Sequence, residues 1–305
     1  MIILNGSKST SLGEKIAIQL GKKFENVTTR IFPDGEIYVR INNDVKGRKA
    51  IIVQSMFPDQ NTSLMEFLII ADLVKDMGAL ETIGVVPYLA YSRQDMRFQE
   101  GEALSIKTIA KMMKSVGIDK LITVDTHYQH VKPGEFDLFG IPCFNVSAGP
   151  LLLGHIKDTV DTNFMTIGPD LGSSEMIKYA TGEEVVLKKE KRCPICGELA
   201  KECKCKTAKK KYEITDVETG VDFSGENVVI MDDIIASGST MIEAVKKVKS
   251  GGANKVVAAA THGLFMKESL IKLKEIADYL VVTDSIMTPV SNVSVAPIIV
   301  DILKE

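Results

Sequence analysis

Short apolar runs alternate with amphipathic helical patterns along almost the whole chain, and this alternation restricts the fold more than any other sequence feature. Strands separated by helices pair in parallel, and the helices cover both faces of the sheet. The sequence therefore predicts an α/β fold with mostly parallel sheets and with functional residues at the carboxyl ends of strands. The predicted strands are residues 1–4, 37–41, 50–54, 83–87, 120–125, 164–168, 184–187, 227–232, 255–261 and 279–283, and the predicted helices include 11–20, 64–77, 105–116 and 241–250.

The two halves of the chain repeat one pattern. Each half contains a strand that ends in aspartate before a polar loop, at residues 124–127 and 231–233. Each half also contains a helix that ends at glycine and is followed by an apolar strand, at residues 116–124 and 251–259. This repetition predicts a duplicated α/β domain, with an N-terminal domain at residues 1–146 and a C-terminal domain at 147–305.

Composition excludes several classes of protein. The chain has no run of 18 apolar residues and no basic leader before an apolar core, so we expect a cytoplasmic protein without a membrane partner. A net charge of −3 and the absence of Trp argue against a nucleic-acid partner. Charge is uneven, because residues 188–211 contain ten Lys and Arg against three Glu. That segment would attract polyanions such as nucleotides.

Residues 228–240, VVIMDDIIASGST, are the strongest functional signal. An apolar strand ends in Asp232 and Asp233, and a loop of small residues leads into a helix. Backbone N–H groups and hydroxyls in such a loop can hold a phosphate at the helix N-terminus. The two aspartates suit ribose hydroxyls or Mg²⁺. The alternative is an ordinary strand-turn-helix in which the acidic residues cap the helix.

Three further loops carry polar residues. Residues 30–36 are either a hairpin turn at Asp-Gly or a base site, with Phe32 stacking on the base and Asp34 and Glu36 accepting from an amine. Residues 87–97 contain Arg93, Gln94 and Asp95, which suit phosphates and base edges or a salt-bridged surface loop. Residues 125–130 contain two of the four histidines beside Asp125, a candidate metal or phosphate site.

Together these motifs resemble the ribose-phosphate diphosphokinase family over nearly all 305 residues. The resemblance is carried by FPDGE at 32–36, SRQD at 92–95, VDTH at 124–127, PDLG at 169–172 and the loop at 232–240, which resembles a phosphoribosyl-pyrophosphate loop. Ala236 and Ser239 depart from the family pattern, which often has an acidic residue and a glycine there. The resemblance implies two tandem phosphoribosyltransferase-like domains with mostly parallel sheets.

The resemblance also implies roles for individual residues. ATP would be held by the 32–36 motif and by the arginine loop, at an interface with a neighbouring subunit. His127 and Asp170 would bind Mg²⁺, and Lys189 would be the catalytic lysine, with Lys191 or Arg192 in the place of the family's arginine. The implied ATP site is Phe32, Asp34, Gly35, Glu36, Arg93, Gln94 and Asp95, and the implied ribose 5-phosphate site is Asp232, Asp233, Ala236, Ser237, Gly238, Ser239 and Thr240.

A cysteine cluster departs from the family pattern inside the implied catalytic loop, as an insertion at about residues 189–211. Cys193 and Cys196 form a Cys-x-x-Cys pair followed by glycine, and Cys203 and Cys205 follow closely. We predict a structural Zn²⁺ site of four cysteines. A redox-switched dithiol and unstructured cysteines are the alternatives, and stable disulfides are not expected in a reducing cytosol.

The implied activity is transfer of a diphosphoryl group from ATP to the C1 hydroxyl of ribose 5-phosphate by a homodimer or larger homo-oligomer. A phosphoribosyltransferase would share the 232–240 loop but would not need the motifs at 32–36 and 92–95. A non-catalytic regulatory homologue is the third possibility, and it would be expected to lack Lys189 or His127, which are both present.

Overall fold

The structure is a computed structural model that describes residues 1–97, 99–182, 188–192, 213–218 and 222–304, with the backbone alone along 188–192 and 213–218. In the first half, short apolar strands alternate with three helices. The strands are β1 (Ile2–Asn5), β2 (Phe24–Asn26), β3 (Thr28–Ile31), β4 (Ile37–Arg40), β5 (Lys49–Val53), β6 (Glu81–Val85), β7 (Lys120–Val124), β8 (Gly134–Asp137) and β9 (Pro142–Val146), and the helices are α1 (Thr10–Leu20), α2 (Gln60–Asp76) and α3 (Ser105–Ser115).

Seven of these strands form one sheet in the order β2-β1-β5-β6-β7-β9-β8, which is parallel except for the edge pair β8–β9. The central strands are apolar on both sides because helices cover both faces. Strands β3 and β4 pair with each other as a separate antiparallel hairpin. Its five-residue connection, residues 32–36, contains Gly35 at φ 96°, so the sequence motif is a turn in this structure.

The second half follows the same plan. Its described elements are α4 (Gly149–Thr159), β10 (Met165–Ile167), α5 (Ser174–Thr181), β11 (Lys188–Arg192), β12 (Glu213–Glu218), β13 (Asn227–Ile235), α6 (Ser239–Ser250), β14 (Lys255–Gly263), α7 (Ser269–Ile276), β15 (Tyr279–Thr283), β16 (Ser291–Val293) and α8 (Ala296–Lys304). A parallel sheet runs in the order β10-β13-β14-β15-β16, and β11 pairs with β12 in a separate antiparallel ribbon. The predicted α/β architecture with mostly parallel sheets is confirmed.

Among the residues that the structure describes, four apolar clusters cover the two faces of the two parallel sheets. In the second half, α6 and α7 cover one face and α4 and α5 cover the other. In the first half, α2 and α3 cover one face, while α1 shares the other with α8, the last described helix. Ile299 and Val300 of α8 are buried beside Ile3 and Ile16 of the first half. The proposed division at residues 146 and 147 therefore leaves α8 on the core of the opposite half.

Most predicted elements lie within a residue or two of observed ones. The strands predicted at 50–54, 83–87, 120–125 and 279–283 correspond to β5, β6, β7 and β15. The strand predicted at 184–187 lies outside the described residues. None of the helices in the described part of the chain combines the length and apolarity that a bilayer crossing requires.

Candidate active site

The loop between β13 and α6 is built by a long buried strand that ends at Ile235, three residues later than predicted. Gly238 has φ 74° and precedes the first residue of α6, Ser239. A Cβ atom on Gly238 would lie 2.6 Å from Cβ of Ser269, so both the backbone conformation and the close approach require glycine. The turn directs the start of a 12-residue helix, with its partial positive charge, towards the space beyond β13.

The segment that follows β14 supports this loop from behind. The N–H groups of Leu264 and Phe265 donate to the carbonyl of Ile235 at 3.0 and 3.1 Å, and the N–H of Met266 donates to the carbonyl of Ala236 at 2.9 Å. The loop carbonyls therefore point towards the protein, which favours N–H groups on the open side.

One cavity of about 140 Å³ joins residues from the two halves of the chain. The second half contributes the loop residues from Asp232 to Met241, together with Asp170 and Gly172. The first half contributes Arg93 and His127. These predicted residues, distant in sequence, are therefore neighbours at the carboxyl ends of strands, as expected for an α/β fold.

Asp232 and Asp233 are adjacent, yet their carboxyl groups have opposite pKa shifts. Burial raises the pKa of Asp232 well above its ordinary value, and the charges of Asp233 and Asp170 raise it further. Burial would also raise the pKa of Asp233, but the hydrogen bond and charge of His127 outweigh it and hold that pKa below its ordinary value. Nδ1 of His127 lies 2.6 Å from Oδ2 of Asp233, and this bond raises the pKa of His127.

The arginine loop is joined to the histidine loop. Oδ2 of Asp95 accepts a 2.8 Å hydrogen bond from the N–H of Gln129, two residues after His127. Asp95 is buried, whereas Arg93 is exposed at the cavity, and the side-chain amide of Gln94 donates to the carbonyl of Met96. Of these three predicted ATP residues, the structure brings Arg93 to the cavity, while Asp95 ties the two loops together.

The predicted base-binding motif lies elsewhere in the chain. Phe32 is half exposed and meets Tyr38 edge to face with ring centroids 6.3 Å apart. Oδ1 of Asp34 accepts from the N–H of Glu36 at 3.2 Å, which closes the turn. Gly35 and Glu36 line a second cavity, of about 440 Å³, against α2. Arg93 and the hairpin tip therefore line different cavities of the same chain.

Comparison with known proteins gives matches along almost the whole length. The chain is 34% identical over 300 residues to the ribose-phosphate pyrophosphokinase of Methanopyrus kandleri, covering 97% of this chain and 96% of that protein. It is 36% identical over 281 residues to the protein of the same name from Pyrococcus furiosus, covering 91% and 92%. The chain belongs to the ribose-phosphate pyrophosphokinase family. This is the family predicted from the motifs, under its other name, and that prediction is confirmed.

Two family models and one solved structure agree with this assignment. Residues 1–117 match the N-terminal domain of ribose phosphate pyrophosphokinase, and residues 192–303 match the phosphoribosyl synthetase-associated domain. The crystal structure of phosphoribosylpyrophosphate synthetase from Mycobacterium smegmatis superposes with a TM-score of 0.79 at 25% identity, covering 99% of this chain and 97% of that one.

Of the implied catalytic segment of this pyrophosphokinase family member, the structure describes residues 188–192, by their backbone alone. Lys189 pairs with Val217 and Lys191 with Ile214 in the β11–β12 ribbon, and the register shifts between Glu190 and Lys191. Cys193, Cys196, Cys203 and Cys205 lie outside the described residues, so the zinc site stays a prediction. Within the ranges that the structure describes, no group of three His, Cys, Asp or Glu side chains is poised to hold a metal ion.

Sequence reasoning named Asp125 but missed Thr261 and His262, which join the second half of the chain to the first. Oγ1 of Thr261 donates to Oδ2 of Asp125 at 2.6 Å, and the N–H of Ala148 donates to the same oxygen at 2.8 Å. Nε2 of His262 donates to the carbonyl of Val124 at 2.9 Å, and Nδ1 lies 2.9 Å from Oγ of Ser285. Two polar residues ending an otherwise apolar strand, β14, were the available signal.

Burial controls the charge of this junction. It raises the pKa of Asp125 to about 6, although hydrogen bonds from Thr261 and Ala148 oppose it. It lowers the pKa of His262 to about 4, so the imidazole is neutral at pH 7. A neutral ring with its proton on Nε2 matches the donated bond to the carbonyl and leaves Nδ1 as an acceptor beside the serine hydroxyl. The sequence predicted that Asp125 could contact a metal or a phosphate. In the structure its Oδ2 instead accepts hydrogen bonds from Thr261 and Ala148.

Proposed function

We propose that this chain transfers the diphosphoryl group of ATP to ribose 5-phosphate. The C1 hydroxyl oxygen attacks the β-phosphorus and loses its proton, while the bond from the β-phosphorus to the oxygen of the α-phosphate breaks. The products are 5-phosphoribosyl 1-pyrophosphate and AMP. Such a reaction depends mainly on positioning and on neutralising charge around the transferred group.

The observation that carries this proposal is the cavity shared between the halves. It combines a loop suited to a sugar phosphate with Arg93, His127 and Asp170. Backbone N–H groups and hydroxyls from Ala236 to Thr240 would hold the 5-phosphate at the start of α6. Asp232 and Asp233 would accept hydrogen bonds from the ribose hydroxyls.

The residues present fit a Mg²⁺ ion. Mg²⁺ is usually held by one or two carboxylates and by substrate phosphates, with water completing its octahedron. A cavity lined by Asp170 and Asp233 supplies carboxylates without a closed cage of protein ligands. His127 and Asp170 would hold the ion, which when bound would neutralise charge on the phosphate oxygens.

The nucleotide would be held by Phe32, Asp34, Gly35 and Glu36 together with Arg93, Gln94 and Asp95. Because the hairpin tip and Arg93 line different cavities of one chain, the two groups would meet across an interface between subunits. Exposed apolar side chains around the hairpin, Ile31, Phe32, Tyr38 and Met65, supply a surface for such contact. The proposal therefore includes a homodimer or larger homo-oligomer.

The test is an assay for AMP and phosphoribosyl pyrophosphate with ATP, ribose 5-phosphate and Mg²⁺. We expect activity that depends on both substrates and falls at least about a hundredfold in Lys189→Ala, because a cation at the transferred group is lost. The matched control is Lys188→Ala, which removes the neighbouring positive charge and should keep most of the activity.

Intact ATP binding without AMP formation would contradict the enzymatic proposal and favour the regulatory homologue. Equal losses in Lys188→Ala and Lys189→Ala would contradict the assignment of Lys189 while leaving the reaction itself supported. Comparing Lys191→Ala with Arg192→Ala then decides which of them fills the arginine position.

A further inference from the structure

The β3–β4 hairpin stands outside the seven-stranded sheet, so other contacts must determine its direction. Its strands pair with each other, and α2 packs beneath β4. A two-stranded hairpin is marginally stable alone in water. The groups that bind its base to the rest of the protein therefore control where residues 32–36 lie.

Glu66 of α2 is a buried carboxylate at that base, with 2% of its surface exposed. Oε1 accepts from Oγ1 of Thr29 at 2.9 Å and from the N–H of Ser7 at 2.8 Å. Oε2 accepts from Oγ of Ser7 at 2.5 Å and from the amide of Gln54 at 3.0 Å. One carboxylate thus joins β3 to the loop after β1, to the end of β5 and to α2.

A second carboxylate holds the other end of the hairpin. Glu25 is buried on β2, and its oxygens accept from the N–H groups of Asn42 and Asn43 at 2.6 and 2.9 Å. The side-chain amide of Asn43 donates to it at 2.7 Å. The chain is therefore fixed just after β4 as well as at Thr29, and the tip extends from two anchored strands.

Helix α2 also contacts the arginine loop. Near the start of the helix, Oδ1 of Asn61 accepts a hydrogen bond from the hydroxyl of Tyr91, two residues before Arg93. Asn61 and Met65 line the 440 Å³ cavity together with Gly35 and Glu36. The two groups of residues proposed to hold ATP are therefore both attached to the first two turns of α2.

We propose that Glu66 is a positioning residue for the nucleotide, acting through its hydrogen bond to Thr29. This inference rests on the proposed function and deepens it. Glu66 does not touch the substrate; it fixes the direction in which the hairpin presents Phe32, Asp34 and Glu36. Small errors in the placement of a binding group reduce binding and rate strongly.

The most specific test removes the hairpin bond and leaves the rest of the network intact. Thr29→Val has nearly the same shape but no hydroxyl, so Glu66 keeps its bonds to Ser7 and Gln54. We expect the KM for ATP to rise about fivefold to tenfold, with kcat and the KM for ribose 5-phosphate within about twofold of wild type. Thr29→Ser, which keeps the hydroxyl, should restore the KM for ATP.

The matched control is Ser7→Ala, which removes another hydroxyl bond to the same carboxylate but not from the hairpin. We expect its KM for ATP to stay within about twofold of wild type even where its thermal stability falls as much as that of Thr29→Val. Glu66→Gln should raise the KM for ATP more than Thr29→Val. The amide N–H groups of the new side chain would face the N–H and O–H donors that now bond to the carboxylate. If Glu66→Gln does not fold, the comparison of Thr29→Val with Ser7→Ala still decides the test.

Wild-type KM for ATP in Thr29→Val, or an equal rise in Ser7→Ala, would overturn the positioning role. Absence of AMP formation by the wild-type protein would instead overturn the proposed reaction. In that case calorimetric titration with a non-hydrolysable ATP analogue still tests the role of Glu66. A weaker Kd in Thr29→Val than in Ser7→Ala supports it, and equal Kd values contradict it.

Discussion

At the scale of single residues, Gly238 determines the shape of the loop between β13 and α6. Gly238 combines a left-handed backbone with close contact to Ser269. An L-residue in that conformation costs about 1–2 kcal/mol even in open space. The sequence places glycine here, but it does not reveal that α7 blocks the position.

The first prediction separates these two effects at Gly238. We expect Gly238→Ala to lower the free energy of unfolding by more than the backbone cost alone, and to raise the KM for ribose 5-phosphate because the loop must shift. The control is Gly225→Ala, which has a similar φ of 76° and no atom within 4 Å of a new Cβ. It should lose about 1 kcal/mol in denaturant unfolding and keep its KM. Equal behaviour of the two variants would contradict the role of the contact with Ser269.

At the scale of elements, the sequence predicted which apolar runs form strands, with ends within three residues of the observed ones. Apolar runs locate β7 and β13; His127 follows the end of β7, whereas Asp232 lies within β13, three residues before its end at Ile235. The pattern could not predict that Asp233 would pair with His127, because that contact depends on how the two sheets face each other. The edge strand β8 was not predicted, because its alternation of apolar and polar residues is short and weak.

The hydrogen bonds of Glu66 were equally hidden from sequence analysis. Glu66 lies within an apolar run of α2, between Leu64 and Phe67, and the sequence alone does not show which groups meet its charge. Buried carboxylates are uncommon unless their oxygens are fully bonded. The donors come from positions 12 to 59 residues away, and no spacing rule links such distances.

The second prediction concerns the end of β14. Thr261→Val should lower the free energy of unfolding by about 1–3 kcal/mol, because the buried Asp125 carboxyl loses a hydroxyl donor. Thr261→Ser should recover most of this loss. The measurement is chemical denaturation at pH 7, and a Val variant as stable as wild type would contradict the contribution of this bond.

At the scale of the whole molecule, the junction between the halves carries two ionisable groups with opposite pH behaviour. The pKa of His262 falls from 6.5 to about 4, so the unfolded chain binds a proton that the folded chain does not. Its contribution to stability is complete above pH 6.5 and is lost as the pH falls towards 4. The pKa of Asp125 rises from 3.8 to about 6. Its contribution to the free energy of unfolding is therefore complete below pH 3.8 and is lost as the pH rises through 6.

The third prediction isolates the histidine contribution. In His262→Gln the proton uptake disappears, while the amide can still donate to the carbonyl of Val124. We expect the stability advantage of wild type over this variant to shrink by about 3 kcal/mol between pH 7 and pH 4. The measurement is denaturant unfolding of both proteins across that range. A difference that stays constant with pH would mean that His262 keeps its ordinary pKa in the folded protein.

The return of α8 to the first half affects how the protein can form during synthesis. The face of the seven-stranded sheet beside Ile16 is completed by Val295, Ala296, Ile299, Val300 and Leu303. A ribosome makes these residues after everything else in both sheets. The N-terminal half therefore emerges with this apolar face covered by α1 alone, and its core closes only after α8 has been made. A nascent chain stalled before residue 295 would present that face to chaperones, even though every strand of the first sheet had already been made.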